Sequence, residues 1–232
     1  MTIKSKLRNI IKIFKNNYNL KKLNLKKISL AEIISSVNIK LLETVDSSGG
    51  LTLEELGAII SIAKYFNCKN YLEIGAFKGR TTINIAANNN NIEIHTIDLP
   101  INYNENNLEY NLLPKDSKLS QYKEKGYFFK KYIDYKKNIF NHYGDSATFD
   151  YKIFQKKFDL IFIDASHKYE NVIIDSENAL KILSKNGIII WHDYSLENLE
   201  VVNAIKYIKN KNKINILSIK NTKFAFYHSN IN

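Results

Sequence analysis

Two acidic residues and two glycines in the first half of the chain have the spacing of a nucleoside-binding turn. Glu73, Gly75 and Gly79 follow a run of apolar residues and precede a stretch with helical apolar spacing. Asp98 ends the next apolar run, nineteen residues after Gly79. In strand–helix–strand units, glycines at the first turn let a ligand approach the backbone, and a later acid binds the ribose hydroxyls. The spacing predicts such a unit, although a tight turn without a ligand would also use these glycines.

Acidic and histidine side chains follow two further apolar runs in the second half. Asp164 ends one run with His167 three residues later, and His192 and Asp193 follow the next. Because neighbouring parallel strands lie about 4.8 Å apart, Asp164 and Asp193 are expected to converge on one cation. Carboxylates suit Mg²⁺, whereas a nitrogen ligand from His192 would favour a transition metal. A neutral histidine, with a pKa of about 6.5, suits His167 to deprotonating a hydroxyl at neutral pH.

Apolar runs and stretches of helical spacing alternate along most of the chain, and these elements must position the residues above. Helices are predicted over residues 30–45, 52–66, 80–88, 170–183 and 199–208, the second starting with a Thr52–Glu55 capping box. Strands are predicted over residues 70–74, 92–97, 138–143, 158–163, 188–191, 214–219 and 224–227. This alternation predicts an α/β fold with a doubly wound, mostly parallel seven-stranded sheet. Ligands bind such sheets at the carboxyl ends of the strands.

Length and charge divide the chain into two parts. A chain of 232 residues fits one domain with an extension, so we predict a basic N-terminal arm and helix over 1–48 and a main domain over 49–232. Nine of the eleven excess positive charges lie in residues 1–28, where apolar spacing predicts an amphipathic helix that would contact a membrane surface or a partner. Residues 100–135 are polar without a clear period, which predicts a substrate lid. Association into a homo-oligomer stays open.

Cysteine usage and hydropathy indicate a compartment. Cys68 is the single cysteine, so the chain forms no internal disulfide and suits a reducing environment. No apolar run approaches the roughly 20 residues that a membrane span needs. We therefore predict a cytoplasmic protein.

Taken together, the motifs resemble those of class I S-adenosylmethionine-dependent methyltransferases. The motifs occupy residues 73–79, 98–100, 144–146, 163–170 and 191–194, and they are similar to the small-molecule and sugar O-methyltransferase branch, related to catechol and macrolide-sugar O-methyltransferases. The resemblance covers roughly residues 50–228. It implies a Rossmann-like fold that transfers a methyl group from S-adenosyl-L-methionine to a hydroxyl of a small molecule or saccharide.

The resemblance also implies a role for each motif residue. It places Glu73 near the methionine amino group, Asp98 at the ribose hydroxyls, Asp145 and Ser146 at the adenine, and Gly75, Gly79 and Asp164 beside the cofactor. It implies that His167 and Asp164 are catalytic and that Asp164, Asp193 and His192 hold a divalent metal such as Mg²⁺. Relatives commonly carry an acid where His192 stands, and the catechol type has lysine in place of His167. A metal requirement therefore stays open.

Three other interpretations compete with this one. A NAD-dependent oxidoreductase is disfavoured because the glycines do not follow the G-x-G-x-x-G pattern. A nucleic-acid methyltransferase is disfavoured because no Asn-Pro-Pro-Tyr-like tetrad for a flipped base is present, so nucleic acid is not an expected partner. A non-catalytic nucleoside-binding protein on the same fold remains an alternative, since fold does not determine function. The acids at strand ends could also simply cap helices.

Overall fold

Strands and helices alternate along the chain in the order that the apolar pattern predicts. The computed structural model describes residues 25–45, 50–121, 124–154 and 158–230. The strands are β1 (Lys27–Ile28), β2 (Asn70–Ile74), β3 (Glu93–Asp98), β4 (Ile139–Tyr143), β5 (Phe158–Ile163), β6 (Leu183–Trp191), β7 (Leu217–Ile219) and β8 (Ala225–His228). The α-helices are α1 (Leu53–Tyr65), α2 (Arg80–Asn88), α3 (Pro114–Ser120), α4 (Tyr127–Lys131), α5 (Tyr169–Ile182) and α6 (Leu199–Asn212).

All of these strands join one sheet in the order β1-β7-β8-β6-β5-β2-β3-β4. Strands β2 to β6 pair in parallel, and β8 runs antiparallel to both β6 and β7. The chain moves outward from β2 to β3 and β4, then returns to the other side of β2 with β5. The strand order therefore reverses between β2 and β5, which is where doubly wound sheets bind ligands.

The doubly wound, mostly parallel sheet is confirmed, but it has eight strands where the apolar pattern predicts seven. The additional strand, β1, pairs in parallel with β7 at one edge of the sheet. It contains only Lys27 and Ile28 and follows Lys26, so it has no apolar run from which a strand can be predicted. A short edge strand that carries lysine is a common way to limit pairing with other chains.

Helices cover both faces of the sheet, because successive strand residues point to opposite sides. On one face, Ile60 of α1 and Ile83 of α2 pack with Leu160 of β5 in a buried cluster. On the other face, Val172 of α5 and Ile205 of α6 pack in a second cluster. This burial fixes the register of the central strands, and with it the side chains at their carboxyl ends.

The prediction of a helix over residues 30–45 is wrong. One 3₁₀ turn, at Leu30–Glu32, is the helical part of this segment. The following segment runs irregularly along α2, where two asparagines replace helical backbone hydrogen bonds. The Asn84 carboxamide accepts from the Leu42 N–H at 2.7 Å, and the Asn88 carboxamide accepts from the Lys40 N–H at 2.7 Å. These tertiary contacts outweigh the helical spacing of the apolar residues. The amphipathic stretch predicted within residues 1–28 lies largely outside the described residues.

Segment 100–135, predicted as a lid, contains α3, α4 and short 3₁₀ turns. Its residues contact the core at the carboxyl ends of β2 and β3. The Gly126 N–H donates to the Phe77 carbonyl at 2.8 Å, and the Phe128 N–H donates to the Lys78 carbonyl at 3.0 Å. The segment therefore forms a cover over the crevice. No helix in the described parts of the chain is long and apolar enough to cross a bilayer.

Candidate functional site

A cavity of about 380 Å³ lies at the carboxyl ends of the central strands, beneath segment 100–135. Its volume falls within the range of small-molecule sites, which is about 300–1,000 Å³. Nine of the ten residues named from the sequence line it: Glu73, Gly75, Asp98, Asp145, Ser146, Asp164, His167, His192 and Asp193. Gly79 is not among the lining residues. The strand-end rule therefore placed the acids and histidines in one crevice, as predicted.

Both glycines of the β2–α2 turn have positive φ and are needed for packing. At Gly75, with φ of 93°, an added Cβ would lie 2.2 Å from the Asp164 carbonyl oxygen. At Gly79, with φ of 84°, it would lie 2.4 Å from the ring of Phe129 on α4. Gly75 thus lets β2 and β5 approach each other beside the cavity. Gly79 lets the covering segment dock, which explains its presence without a ligand contact.

Glu73 is almost completely buried at the end of β2, with 2% of its surface exposed. Its carboxylate accepts hydrogen bonds from the Thr82 hydroxyl at 2.5 Å and from the Tyr71 hydroxyl at 3.2 Å. No lysine or arginine pairs with it among the described residues. Burial raises the pKa of Glu73 to about 8, and the negative charge of Asp164 adds to that effect. A cationic group entering the cavity beside Glu73 would favour its ionised form.

Asp98 ends β3 and is held by two donors. Its carboxylate accepts from the Phe77 N–H at 2.6 Å and lies 3.3 Å from the Lys125 ammonium. Lys125 belongs to the covering segment, and its side chain is 3% exposed. The same ammonium donates to the Leu99 carbonyl at 2.6 Å. No sequence pattern points to Lys125, because it lies in a lysine-rich stretch without a period.

The far end of the cavity contains more acceptors than donors. Asp145 accepts from the backbone N–H groups of Glu109 at 2.9 Å and Ala147 at 3.0 Å. Asn171 on α5 lines the cavity, and its buried carboxamide oxygen has no hydrogen-bond partner among the described residues. Asp175, one turn further, lies behind the cavity wall and is 1% exposed; burial raises its pKa to about 7 although the Ser146 hydroxyl faces it. A buried acceptor without a donor is costly, so this end suits a ligand that carries N–H groups.

His167 is held between two carboxylates. Its Nδ1 lies 2.6 Å from Asp116 on α3, and its Nε2 lies 2.5 Å from Asp193. Asp116 also accepts from the His167 backbone N–H at 2.7 Å. Although burial favours the neutral ring, the hydrogen bonds to both acids raise the pKa of His167 to about 9. This direction favours the protonated ring at pH 7, whereas the sequence predicts a neutral one.

His192 lies among three carboxylates from separate parts of the chain. Its Nδ1 is 3.0 Å from Asp164 and 3.3 Å from Asp193, and its Nε2 is 3.4 Å from Glu55 on α1. Burial opposes charge on the ring, yet these acids raise the pKa of His192 to about 12. Hydrogen bonds from both histidines outweigh burial at Asp193 and hold its pKa well below the ordinary range.

One group of side chains in the described residues has the spacing of metal ligands. Ligand atoms of Asp164, His192 and Asp193 all lie within 4.8 Å of one another. The set combines two carboxylates with one imidazole, which suits a divalent first-row transition metal better than Mg²⁺. His192 must give up its Nδ1 proton to bind an ion, so a metal and the present ion pairs exclude each other.

Helix α3 covers this cluster through residues that the sequence did not single out. Besides Asp116, the Lys115 ammonium donates to the Asn198 side chain at 2.7 Å, and Asn198 donates to Asp193 at 2.7 Å. The Lys115–Asn198 bond joins the covering segment to the loop after β6, and the Asn198–Asp193 bond lies within that loop. Glu55 was recognised only as a cap of α1, although its carboxylate also faces His192. Glu55 and His192 are more than a hundred positions apart in the sequence, so their proximity in space leaves no local sequence pattern.

Comparison with known proteins identifies the family. The methyltransferase domain family matches residues 72–194, the stretch that runs from β2 to the end of the site. The chain belongs to this family. No curated protein sequence matches the chain.

Solved methyltransferase structures share the fold of this family member. SAH-bound PaMTH1 from Podospora anserina has a TM-score of 0.57 at 18% identity over 78% of this chain and 80% of its own. TomG from Streptomyces achromogenes, an O-methyltransferase of tomaymycin synthesis in complex with SAM, has a TM-score of 0.55 at 14% identity over 83% and 91%. The calicheamicin methyltransferase CalS11 has a TM-score of 0.59 at 13% identity over 78% and 82%.

Proposed function

We propose that this methyltransferase domain transfers a methyl group from S-adenosyl-L-methionine to a hydroxyl of a small molecule. The observation that carries the proposal is the arrangement of Glu73, Asp98 and Asp145 around one cavity at the carboxyl ends of β2, β3 and β4. The similar solved structures include proteins with SAM or SAH bound, which supports the same cofactor here.

The donors and acceptors of the cavity suit the three parts of the cofactor. Glu73, which pairs with no lysine or arginine among the described residues, would face the methionine amino group. Asp98 would accept hydrogen bonds from the ribose hydroxyls. The acceptors around Asp145 and Ser146 would face the adenine. Gly75 and Asp164 border the space between them, whereas we assign Gly79 a packing role. The bound cofactor supplies a methyl group on a positively charged sulfur.

Methyl transfer to oxygen is an in-line displacement in which positioning supplies much of the rate. The acceptor oxygen forms a bond to the methyl carbon while the carbon–sulfur bond breaks. We propose that the hydroxyl proton goes to Nε2 of His167, with Asp164 beside the reacting atoms. In the present state Asp193 occupies Nε2. Nε2 of His167 can therefore accept a proton only when the Asp193 carboxylate moves to another cation.

A divalent metal at Asp164, His192 and Asp193 would supply that charge. Such an ion would also lower the pKa of the acceptor hydroxyl and orient it. The three ligand atoms in close proximity support this assignment. Mg²⁺ remains the alternative ion, because two of the three ligands are carboxylates.

We propose a saccharide or glycosylated metabolite as the acceptor, and a cytoplasmic location. The covering segment adds tyrosine to the cavity at Tyr110, which is compatible with stacking on a sugar ring. The free, buried thiol of Cys68 suits a reducing compartment. Contacts of residues 1–28 with a membrane or partner, and a homo-oligomer, stay predictions.

Calorimetric titration of the full chain with S-adenosylhomocysteine, and separately with NAD⁺, tests the cofactor. We expect S-adenosylhomocysteine to bind and Asp98→Ala to weaken it by a factor on the order of 10², as for loss of charge-assisted hydrogen bonds. Asp134→Ala, at an exposed acid of the covering segment, is the matched control and should bind normally. Binding of NAD⁺ alone, or of neither ligand by folded protein, would reject the proposal.

A further inference from the structure

Glu55 has an environment that helix capping alone does not explain. It lies in the first turn of α1, which precedes all of the central strands in the sequence. Its side chain is nevertheless buried beside His192. The two residues are separated by 137 positions in the sequence. Of the described residues, Glu55 is the one whose carboxylate lies within ion-pair distance of His192 Nε2.

The Glu55 carboxylate is fixed by three donors. Its Oε1 accepts from the Lys223 N–H at 2.7 Å, and its Oε2 accepts from the Thr52 N–H at 3.0 Å and the Thr52 hydroxyl at 3.1 Å. These bonds hold the carboxylate in one orientation before any ligand arrives. A rigid carboxylate can orient a neighbouring ring without a loss of side-chain entropy at that moment.

The His192 ring is also held in one orientation. The rings of Phe162 and Phe224 lie 6.3 and 5.8 Å from it, centre to centre. Its side chain is 10% exposed, and its Nε2 has no hydrogen-bond partner among the described residues. Nδ1 faces Asp164 and Asp193, while Nε2 faces Glu55 at 3.4 Å. The ring therefore presents one nitrogen to the two aspartates and the other to a carboxylate.

This resembles the arrangement by which proteins orient metal-binding histidines, with the Glu55 carboxylate at ion-pair distance from Nε2. A ligating imidazole usually donates the N–H of its second nitrogen to a carboxylate or carbonyl, which fixes the tautomer and the ring direction. Two ligands about 2.1 Å from an octahedral ion at a right angle lie about 3.0 Å apart. The distances of 3.0 and 3.3 Å from Nδ1 to Asp164 and Asp193 are close to that value.

We propose that Glu55 is a positioning residue for a transition-metal site formed by Asp164, His192 Nδ1 and Asp193. The nitrogen ligand makes the site prefer Mn²⁺ over Mg²⁺, and Glu55 keeps the remaining ring proton on Nε2. This inference rests on the metal part of the proposed function and is independent of its cofactor part. It assigns the start of α1 a role in the site, in addition to covering the sheet.

Titration of the chelator-stripped full chain with MnCl₂ and with MgCl₂, followed by calorimetry and by the Mn²⁺ electron paramagnetic resonance signal, tests the proposal. We expect one Mn²⁺ per chain, with Mg²⁺ weaker by tenfold or more. Glu55→Gln should weaken Mn²⁺ by a factor of about 10–100, the usual effect of removing such a carboxylate. Glutamine still completes the capping box, so the helix start is preserved. Glu54→Gln, the exposed neighbour on α1, is the matched control and should bind Mn²⁺ normally.

A second variant separates metal choice from stability. His192→Gln keeps both aspartates, and we expect it to lose the preference for Mn²⁺ over Mg²⁺. S-adenosylhomocysteine affinity is measured on each variant and should stay within threefold of the unsubstituted chain. Absence of Mn²⁺ binding in a chain that binds S-adenosylhomocysteine would overturn the metal site while leaving the cofactor proposal intact. Mn²⁺ binding that Glu55→Gln leaves unchanged would overturn the role of Glu55, and an unchanged preference for Mn²⁺ in His192→Gln would overturn the nitrogen ligand.

Discussion

Replacing Glu73 by glutamine should make the protein more stable, although it alters a residue of the cavity. Glu73 is buried, and no lysine or arginine pairs with it among the described residues, so ionising it in the folded state is costly. Glutamine has nearly the same shape, and its carbonyl oxygen can accept from the same two hydroxyls, Thr82 and Tyr71. The substitution therefore removes the cost of the charge while keeping the hydrogen bonds.

The size of the effect follows from proton linkage. The folded-state pKa of Glu73 is about 8, against an ordinary value of 4.5. The folded state thus binds a proton that the unfolded chain has released, and Glu73 costs stability increasingly as pH rises from 4.5 towards 8. At 1.36 kcal/mol per pKa unit, the cost at pH 7 has an upper limit of about 3 kcal/mol, and at pH 5 of about 1 kcal/mol. Glu73→Gln should recover most of that difference.

Urea unfolding at pH 5, 6 and 7 measures this gain. We expect the midpoint of Glu73→Gln to exceed that of the unsubstituted chain by an amount that grows with pH, at an unchanged m-value. Glu54→Gln, at an exposed acid on α1, is the matched control and should change stability by less than about 0.5 kcal/mol, as surface substitutions usually do. A gain of equal size at pH 5 and pH 7 would mean that Glu73 ionises normally, and the reasoning would be refuted.

The same substitution should weaken the cofactor. If Glu73 faces the methionine amino group, glutamine replaces a charge-assisted contact by a neutral one. We expect S-adenosylhomocysteine affinity to fall by about 10–100-fold, corresponding to about 1.5–3 kcal/mol. A residue whose replacement raises stability and lowers binding is typical of a functional site. Unchanged affinity would remove Glu73 from the amino-group site.

Three further substitutions test the roles assigned above. His167→Ala should lower methyl transfer by a factor on the order of 10², as for loss of a general base, and leave S-adenosylhomocysteine affinity unchanged in calorimetry. Loss of that affinity would argue against a base. Asp116→Asn should slow methyl transfer less than His167→Ala, measured as released S-adenosylhomocysteine by mass spectrometry; normal rates would show that α3 does not orient the ring. Gly75→Ala should destabilise the fold by about 3 kcal/mol through overpacking against the Asp164 carbonyl. Gly57→Ala inside α1 is its control and should be neutral or stabilising, because its Cβ would meet the nearest atom at 3.7 Å.

The central strands and their helices could be predicted because each buries a continuous apolar surface. The strand predicted over 158–163 is β5 itself, and the helix predicted over 80–88 is α2. The segments that failed depend on tertiary contacts. The apolar residues of segment 30–45 have helical spacing, but backbone N–H groups of this segment donate hydrogen bonds to the side chains of Asn84 and Asn88. Segment 100–135 lacks a period because its short helices dock through backbone hydrogen bonds, a few polar side chains and the rings of Phe128 and Phe129, and not through a continuous apolar face.

The site residues divide in the same way. Those at strand ends could be predicted from the sequence, and the residues that surround them could not. Asp164 and Asp193 could be placed together from sequence, since parallel strands deliver their carboxyl ends to one edge. The protonation of His167 and His192 could not, because it depends on acids that other elements supply. Asp116 comes from α3 and Glu55 from α1, and neither has a spacing relation to the histidine it contacts. The sequence predicts a neutral imidazole at His167, whereas hydrogen bonds to Asp116 and Asp193 raise its pKa to about 9 and link it to the covering segment. In the mechanism proposed above, His167 acts as a base only after Asp193 leaves its Nε2, so a cation bound by Asp164, His192 and Asp193 would promote that step.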